Sequence, residues 1–138
     1  MKWLLDTSVF SQPLKRAPNQ SALERWKKVG DRSCLTSIVV TAEIEWGLLA
    51  MGSERLWSGY REVLEDRLEV LESGPDVWQR FSEMKARQKR IGQKVGDLDL
   101  LIAATASTHG LTVATLNHRD FARIEGLAWE DWGASQGF

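Results

Sequence analysis

The chain has 138 residues, 43% of them hydrophobic and 27% charged, which is typical of one globular domain over 1–138 and excludes disorder, collagen-like repeats and coiled coil. Its formal net charge of −1 provides no global attraction to nucleic acid or to a membrane surface. No stretch approaches the roughly 20 apolar residues that a membrane helix requires. The one cysteine, Cys34, cannot form an internal disulfide, so we expect a buried thiol in a reducing, cytoplasmic protein.

Short apolar runs and amphipathic segments alternate along the first half of the chain. Asn19, Ser37 and Ser53 can each cap the start of a helix, and Gly30 and Gly52 can end the first two of these helices. The predicted elements, in order, are a strand over 2–5, a loop around 13–18, a helix between 19 and 30, a strand over 33–36, a helix between 37 and 52, a helix from 53 and a strand over 68–72.

The second half continues the same alternation. Pro75 predicts the first turn of a helix that Gly92 ends, and the run 98–106 is apolar on all sides, which predicts a central helix. A strand over 111–116 follows. This order predicts an α/β fold, a three-layer α/β/α sandwich with a mainly parallel central sheet, in which ligands bind at the carboxyl ends of the strands.

Three acidic residues interrupt the apolar elements. Asp6 directly follows the first strand, Glu43 lies in an apolar helix with Gly47 one turn on to allow a close approach, and Asp99 lies in the central helix. Each acid alone has an ordinary interpretation, as a turn residue, a solvated helix position or a helix cap. Together, converged carboxylates would repel each other unless they were protonated or joined by a cation, and oxygen ligands select Mg²⁺ or Mn²⁺.

Four motifs resemble those of one protein family, in the same order and over nearly the whole chain. They are Leu4-Leu-Asp6-Thr7-Ser8-Val9, Thr41-Ala-Glu43 with Gly47, Asp99-Leu-Leu-Ile-Ala-Ala-Thr-Ala106, and Leu111-Thr-Val-Ala-Thr115-Leu-Asn117 followed by Asp120-Phe121. On these residues the chain resembles the PIN-domain ribonucleases, and most closely the VapC-type toxins of bacterial toxin–antitoxin pairs, including the FitB-like branch.

The resemblance implies a metal-dependent endoribonuclease that hydrolyses RNA phosphodiester bonds with a water activated by Mg²⁺ or Mn²⁺. It also implies a VapB-type antitoxin as partner and a homodimer as the usual assembly. Asn117 stands where many relatives have a fourth acid, which puts a second metal position in question. The implied site comprises Asp6, Glu43 and Asp99 as catalytic metal ligands, with Thr7, Ser8, Thr115 and Asn117 as supporting residues.

Other charged residues have both a functional and an ordinary interpretation. The helix that starts near Pro75 carries a basic stretch that is either a solvated face or a surface that contacts RNA phosphates. Asp97 is expected to be solvated or to cap its helix, and Asp120 to hold the turn before Phe121. The candidate RNA contacts are Lys85, Arg87, Lys89 and Arg90.

The remaining candidates are histidines and tryptophans. His109 and His118 could form the acid–base pair of a metal-free ribonuclease, but we favour surface roles for both. Spacing places Trp26 and Trp78 in the core, and Trp129 and Trp132 are candidates for an interface. A different class of function stays open, in which a catalytically weak PIN module acts mainly by binding an antitoxin in a DNA-binding regulatory complex.

Overall fold

The protein is described by a computed structural model over residues 1–134. One sheet of five parallel strands has the order β3-β2-β1-β4-β5. The strands are β1 (Trp3–Leu5), β2 (Cys34–Ser37), β3 (Glu69–Leu71), β4 (Thr112–Thr115) and β5 (Trp129–Asp131). The helices are α1 (Thr7–Phe10), α2 (Gln20–Val29), α3 (Ile38–Met51), α4 (Glu54–Val63), α5 (Pro75–Ile91), α6 (Asp97–Thr108) and α7 (His118–Ala122).

The central strands are buried along their whole length. Every residue of β1 and β2 is buried. Because successive side chains of a strand point to opposite faces of the sheet, helices must cover both faces. The predicted three-layer α/β/α architecture with a parallel sheet is therefore confirmed, and Cys34 is buried as expected.

Capping residues fix the helix boundaries that the sequence predicts. The side chains of Asn19, Ser37 and Ser53 each accept a hydrogen bond from a backbone N–H three residues on, at the starts of α2, α3 and α4. Gly52 and Gly92 end α3 and α5 with φ of +65° and +70°, a conformation that side chains with a Cβ disfavour. None of the helices within residues 1–134 is long and apolar enough to cross a membrane.

Several short elements lie outside the predicted set. The segment after Asp6, which the prolines suggested to be a loop, begins with the one-turn helix α1 and continues into a 3-10 turn over Gln12–Leu14. Beyond residue 116 the chain forms α7 and adds β5 to the edge of the sheet. Helices of four or five residues are too short to show a hydrophobic period, and β5, with the sequence Trp-Glu-Asp, lacks the apolar run that marks β1.

Two of the predictions for tryptophan are wrong. Trp78 is 47% exposed in the first turn of α5, whereas Trp26 is buried as expected. Trp132, a candidate for an interface, is fully buried, and its ring packs edge-on against Trp3 at 5.4 Å between centroids. The pairing of β5 with β4 carries the chain over the core at this point, which the local sequence does not reveal. Trp129 is half-buried in β5.

Candidate active site

Asp6 lies at the point where the strand order reverses. It directly follows β1, which pairs with β2 on one side and β4 on the other. The Asp6 backbone N–H donates to the carbonyl of Ala114 in β4 at 3.1 Å. In parallel α/β sheets, the crevice at the carboxyl ends of two such strands is the usual place for a ligand.

The carboxylate of Asp6 is held by three donors. Its Oδ1 accepts from the Ser8 hydroxyl at 2.7 Å and the Val9 backbone N–H at 3.0 Å, and its Oδ2 accepts from the Thr115 hydroxyl at 2.6 Å. The Val9 bond also makes Asp6 the N-cap of α1. Asp6 is only 3% exposed. Burial raises the pKa of its carboxyl to about 6, although these hydrogen bonds oppose the shift.

The two hydroxyls beside Asp6 also fix the loop after β4. The Ser8 hydroxyl accepts from the backbone N–H of Leu116 at 2.9 Å, and the Thr115 hydroxyl accepts from the backbone N–H of Asn117 at 2.7 Å. The start of α1 and the end of β4 are therefore joined through the Asp6 carboxylate. Ser8 and Thr115 hold Asp6 in one orientation.

Glu43 and Asp99 come to the same edge of the sheet from α3 and α6. The Thr7 hydroxyl donates to Oε1 of Glu43 at 2.7 Å, so Thr7 supports Glu43 and Ser8 supports Asp6. Asp99 lies in the first turn of α6. Its pKa is raised to about 6, first by burial and then by the negative charges of Asp6, Asp120 and Glu43, in that order.

These carboxylates face a common cavity of about 550 Å³, which we call the acid cavity. Within residues 1–134, no Lys, Arg or His side chain forms an ion pair with Asp6, Glu43 or Asp99. Their negative charge is therefore not neutralised by a partner in the described part of the chain. The lining residues are Asp6, Thr7, Ser8, Ser11, Gln12, Lys15, Glu43, Asp99 and Asn117.

Asn117 and Asp120 lie at the rim of this site. Asn117 lines the acid cavity, and its Nδ2 donates to Oδ2 of Asp120 at 2.9 Å. Asp120 thus holds the loop, as the sequence suggests, and Arg123 lies 4.0 Å from its other oxygen. The sequence does not predict that the Asp120 charge raises the Asp99 pKa, because nothing in the local sequence shows that α7 approaches the start of α6.

The donor set of the acid cavity fits a hard divalent cation. Carboxylate oxygens are the ligands that Mg²⁺ and Mn²⁺ prefer, and a cation relieves the mutual repulsion that adds to burial in raising the Asp99 pKa. Among residues 1–134, no three His, Cys, Asp or Glu side chains are positioned to hold an ion together as they stand. Mg²⁺ does not require three, since it commonly binds one or two carboxylates and keeps several waters.

The candidate RNA contacts on α5 divide into two groups. Lys85 pairs with Asp97 at 2.9 Å, and Lys85 and Lys89 line a second cavity beside the start of α6. Asp97 is exposed in this pair, as expected. Arg87 pairs with Glu125 outside both cavities, and Arg90 is exposed and lines neither.

Two further expectations concern residues outside the acid cavity. His109 and His118 are both exposed, and Nδ1 of His118 lies 3.2 Å from Asp131, so neither meets the acids. The close approach expected at Gly47 is absent, because a Cβ built there would meet no atom within 4 Å in the described structure.

The comparisons with known proteins agree with this fold. The PIN domain family model matches residues 3–127, so the chain belongs to the PIN domain family. Within that family its relatives are VapC ribonucleases. Ribonuclease VapC2 of Haemophilus influenzae is 33% identical, with 96% of this chain and 98% of the relative covered.

Two further matches come from Salmonella typhimurium. The tRNA(fMet)-specific endonuclease VapC is 32% identical over 96% of this chain and 98% of the relative. A crystal structure of DNA-bound VapBC has a TM-score of 0.79 and 31% identity, and the match covers 96% of this chain and 98% of that one. The predicted family resemblance is thereby confirmed.

Proposed function

We propose that this VapC-type PIN protein is a Mg²⁺- or Mn²⁺-dependent endoribonuclease whose cation binds in the acid cavity among the carboxylates of Asp6, Glu43 and Asp99. The observation that carries the proposal is the buried Asp6 carboxylate at the switch point of the sheet. It shares one cavity with two further acids and has no basic partner within residues 1–134. A buried carboxylate without a counter-charge destabilises the folded state, and a cation bound for function offsets that destabilisation.

The protein's own groups have distinct roles in this reaction. Asp6 is fixed by Ser8 and Thr115, and Glu43 is oriented by Thr7, so two carboxylates are positioned before any ligand arrives. A bound divalent cation supplies positive charge to the phosphodiester undergoing hydrolysis and to the attacking water. Asp99 adds a third carboxylate from the first turn of α6.

The test is cleavage of a structured RNA such as a transfer RNA. Chelator should abolish cleavage, and added Mg²⁺ or Mn²⁺ should restore it. Asp6→Asn and Asp99→Asn should each reduce the rate by roughly a hundredfold, since each removes a ligand charge. Asp66→Asn is the matched control, because Asp66 is exposed and lies outside the acid cavity. Full activity in chelator, or in both site variants, contradicts the metal mechanism.

The biological role that fits this activity is that of the toxin of a type II toxin–antitoxin pair, acting in the cytoplasm. A VapB-type antitoxin needs an apolar surface on which to dock, and α3 carries Trp46, Leu49 and Met51 with exposures of 65%, 69% and 69%. A neighbouring short reading frame should suppress toxicity on co-expression and should co-purify with the chain. Unchanged toxicity and no complex would contradict this role.

A second candidate function is favoured by the relative that was crystallised as a DNA-bound VapBC complex. In this alternative the chain is a catalytically weak module that acts through an antitoxin on DNA. Wild-type protein that binds the antitoxin but cleaves RNA no faster than Asp6→Asn would support it. The homodimer that we propose for the free protein is tested by light scattering during gel filtration, where a monomer mass would contradict it.

A further inference from the structure

A second cavity lies where α5 ends and α6 begins, and it is distinct from the acid cavity. It has a volume of about 600 Å³, and we call it the lysine cavity. The segment 92–96, which joins the two helices, forms one side, and Leu100 and Val95 give it apolar surface. Its lining residues are Lys85, Gln88, Lys89, Gly92, Gln93, Lys94, Val95, Gly96, Asp97 and Leu100.

The lining carries an excess of positive charge. Three lysines and one aspartate face the cavity. Asp97 is engaged by Lys85 at 2.9 Å, whereas Lys89 and Lys94 form no ion pair within residues 1–134. Two ammonium groups at the cavity are therefore free to bind an anion. Because the whole chain has a net charge of −1, the positive charge at this cavity is a local patch.

Gln88 is an unpartnered polar group at this cavity. It is only 4% exposed, and its Nε2 is buried without a hydrogen-bond partner within residues 1–134. The Gln88 side chain forms no other hydrogen bond in that range, although it lines the cavity. A buried amide without a partner costs about 1–3 kcal/mol, so such a group usually has a partner, either a water or a ligand.

The start of α6 gives the cavity further attraction for anions. Gly96 is the N-cap of α6 and has no side chain to cap the helix, so no side-chain hydrogen bond closes this end. The first backbone N–H groups of a helix and its dipole favour a bound anion. Asp97, the acid beside this end, is already paired with Lys85.

We propose that the lysine cavity binds a backbone phosphate of the RNA that is cleaved at the acid cavity. The proposal rests on the proposed ribonuclease function. Lys89 and Lys94 neutralise the phosphate, and the buried Gln88 amide, which has no other partner within residues 1–134, turns toward it on binding to donate its N–H. An RNA strand is favoured over an acidic protein because the first turn of α6 lines both cavities, with Asp99 in one and Asp97 and Leu100 in the other.

The position of the lysine cavity also offsets the repulsion between the acid cavity and RNA. The acid cavity carries Asp6, Glu43 and Asp99, and these repel a polyanion. The lysine cavity supplies attraction beside them that does not depend on a bound metal. Bound there, a phosphate keeps the neighbouring phosphodiester close to the acids, which shortens the search for a reactive geometry.

The test is binding of a fluorescently labelled single-stranded RNA to the full chain, measured by anisotropy in chelator at several salt concentrations. Chelator keeps the RNA intact, so binding is measured apart from cleavage. We expect the Lys89→Gln, Lys94→Gln double variant to bind about tenfold more weakly at low salt. The slope of log K against log salt should become shallower by about 0.7 for each phosphate that the variant no longer neutralises. The Lys27→Gln, Lys28→Gln double variant on α2 is the matched control and should bind as wild type does.

Gln88→Met tests the amide itself. It keeps the length of the side chain and removes an unpaired polar group, so we expect an unchanged or higher urea midpoint together with about tenfold weaker RNA binding. A merely structural amide would lower the midpoint and leave RNA binding unchanged. If Gln88→Met fails to fold, the lysine variants still decide the question.

Three outcomes overturn the proposal. One is equal affinity and slope for the α5–α6 lysine variant and its α2 control. Another is unchanged RNA binding by Gln88→Met. A third is RNA binding that survives the lysine substitutions while binding of a labelled polyglutamate peptide is lost, which assigns the cavity to an acidic protein. Failure of metal-dependent cleavage would refute the proposed function but would leave this binding measurement intact.

Discussion

The buried carboxyl of Asp6 should make the metal-free protein less stable as the pH rises. Burial raises its pKa from the ordinary 3.8 to about 6, so the folded chain holds this proton more tightly than the unfolded chain does. Between about pH 4 and pH 6, the free energy of unfolding should therefore fall as pH rises, and above pH 6 it should be constant. At about 1.4 kcal/mol per pKa unit, the expected loss from Asp6 is about 3 kcal/mol.

Asp99 contributes with the same sign over the same range. Its pKa is also raised to about 6, but its side chain is only half-buried, so solvent screens part of the effect. The charges that face it come from Asp6, Asp120 and Glu43. Because these carboxyls interact, their protons leave in coupled steps, and the measured curve belongs to the group.

The assay is urea unfolding in chelator at pH 4.5, 6 and 7.5 for wild type and Asp6→Asn. Asp6→Asn should lack the Asp6 part of the decline, so its stability relative to wild type should increase by about 2 kcal/mol across this range; the rest of the loss falls below pH 4.5, where the unfolded carboxyl ionises. Asp66→Asn, an exposed aspartate, should run parallel to wild type. Wild-type and Asp6→Asn curves that stay parallel from pH 4.5 to 7.5 would refute the reasoning.

Three more predictions concern single positions. Thr7→Val removes the donor to Glu43 and should slow cleavage about tenfold, with a change near 1 kcal/mol in the free energy of unfolding. Thr7→Ser keeps the hydroxyl and should restore the rate. Equal initial velocities for wild type and Thr7→Val would exclude a positioning role for Thr7. Asn117→Asp adds a carboxylate and should lower the Mg²⁺ concentration needed for half-maximal cleavage, whereas Asn117→Ala removes an oxygen ligand and should raise it. If wild type and both variants need the same Mg²⁺ concentration, position 117 lies outside the metal site. Trp132→Ala should lower the free energy of unfolding in urea by about 3–5 kcal/mol. Trp132→Phe should lower it much less, because the Trp132 Nε1 has no hydrogen-bond partner within residues 1–134 to lose. Equal losses for the two variants would contradict the packing role.

The sequence predicts most of the frame because each signal is local. Ser37 and Gly52 mark the ends of α3 through bonds within four residues of the chain, so the pattern alone gives its boundaries. Asp6, Glu43 and Asp99 stand out because each interrupts an apolar element, and the parallel sheet with its covering helices brings them to one cavity. The convergence itself comes from the topology.

The remaining features depend on contacts between distant segments. The Thr7 hydroxyl bonds Glu43, which is 36 positions away, and the Thr115 hydroxyl bonds Asp6 across 109 positions. No periodicity reports such pairs. The interface prediction for Trp132 is wrong for the same reason, because its burial follows from the addition of β5 to the sheet edge. A short sequence window shows the type of side chain but not the partner that the fold brings to it.

The first turn of α6 separates the two charges that an RNA-cleaving site needs. Asp99 faces the acid cavity, while Gly96 and Asp97 line the lysine cavity with Lys89 and its neighbours. Lys15 also lines the acid cavity but forms no ion pair with its acids within residues 1–134, whereas Lys85, Lys89 and Lys94 line the other cavity, where they do not compete with a divalent cation for the acids. In the proposed mechanism, attraction of the strand depends on lysines that monovalent salt screens, whereas hydrolysis depends on carboxylates that a divalent cation neutralises. That proposal predicts that ionic strength acts mainly on RNA binding and metal concentration mainly on the chemical step.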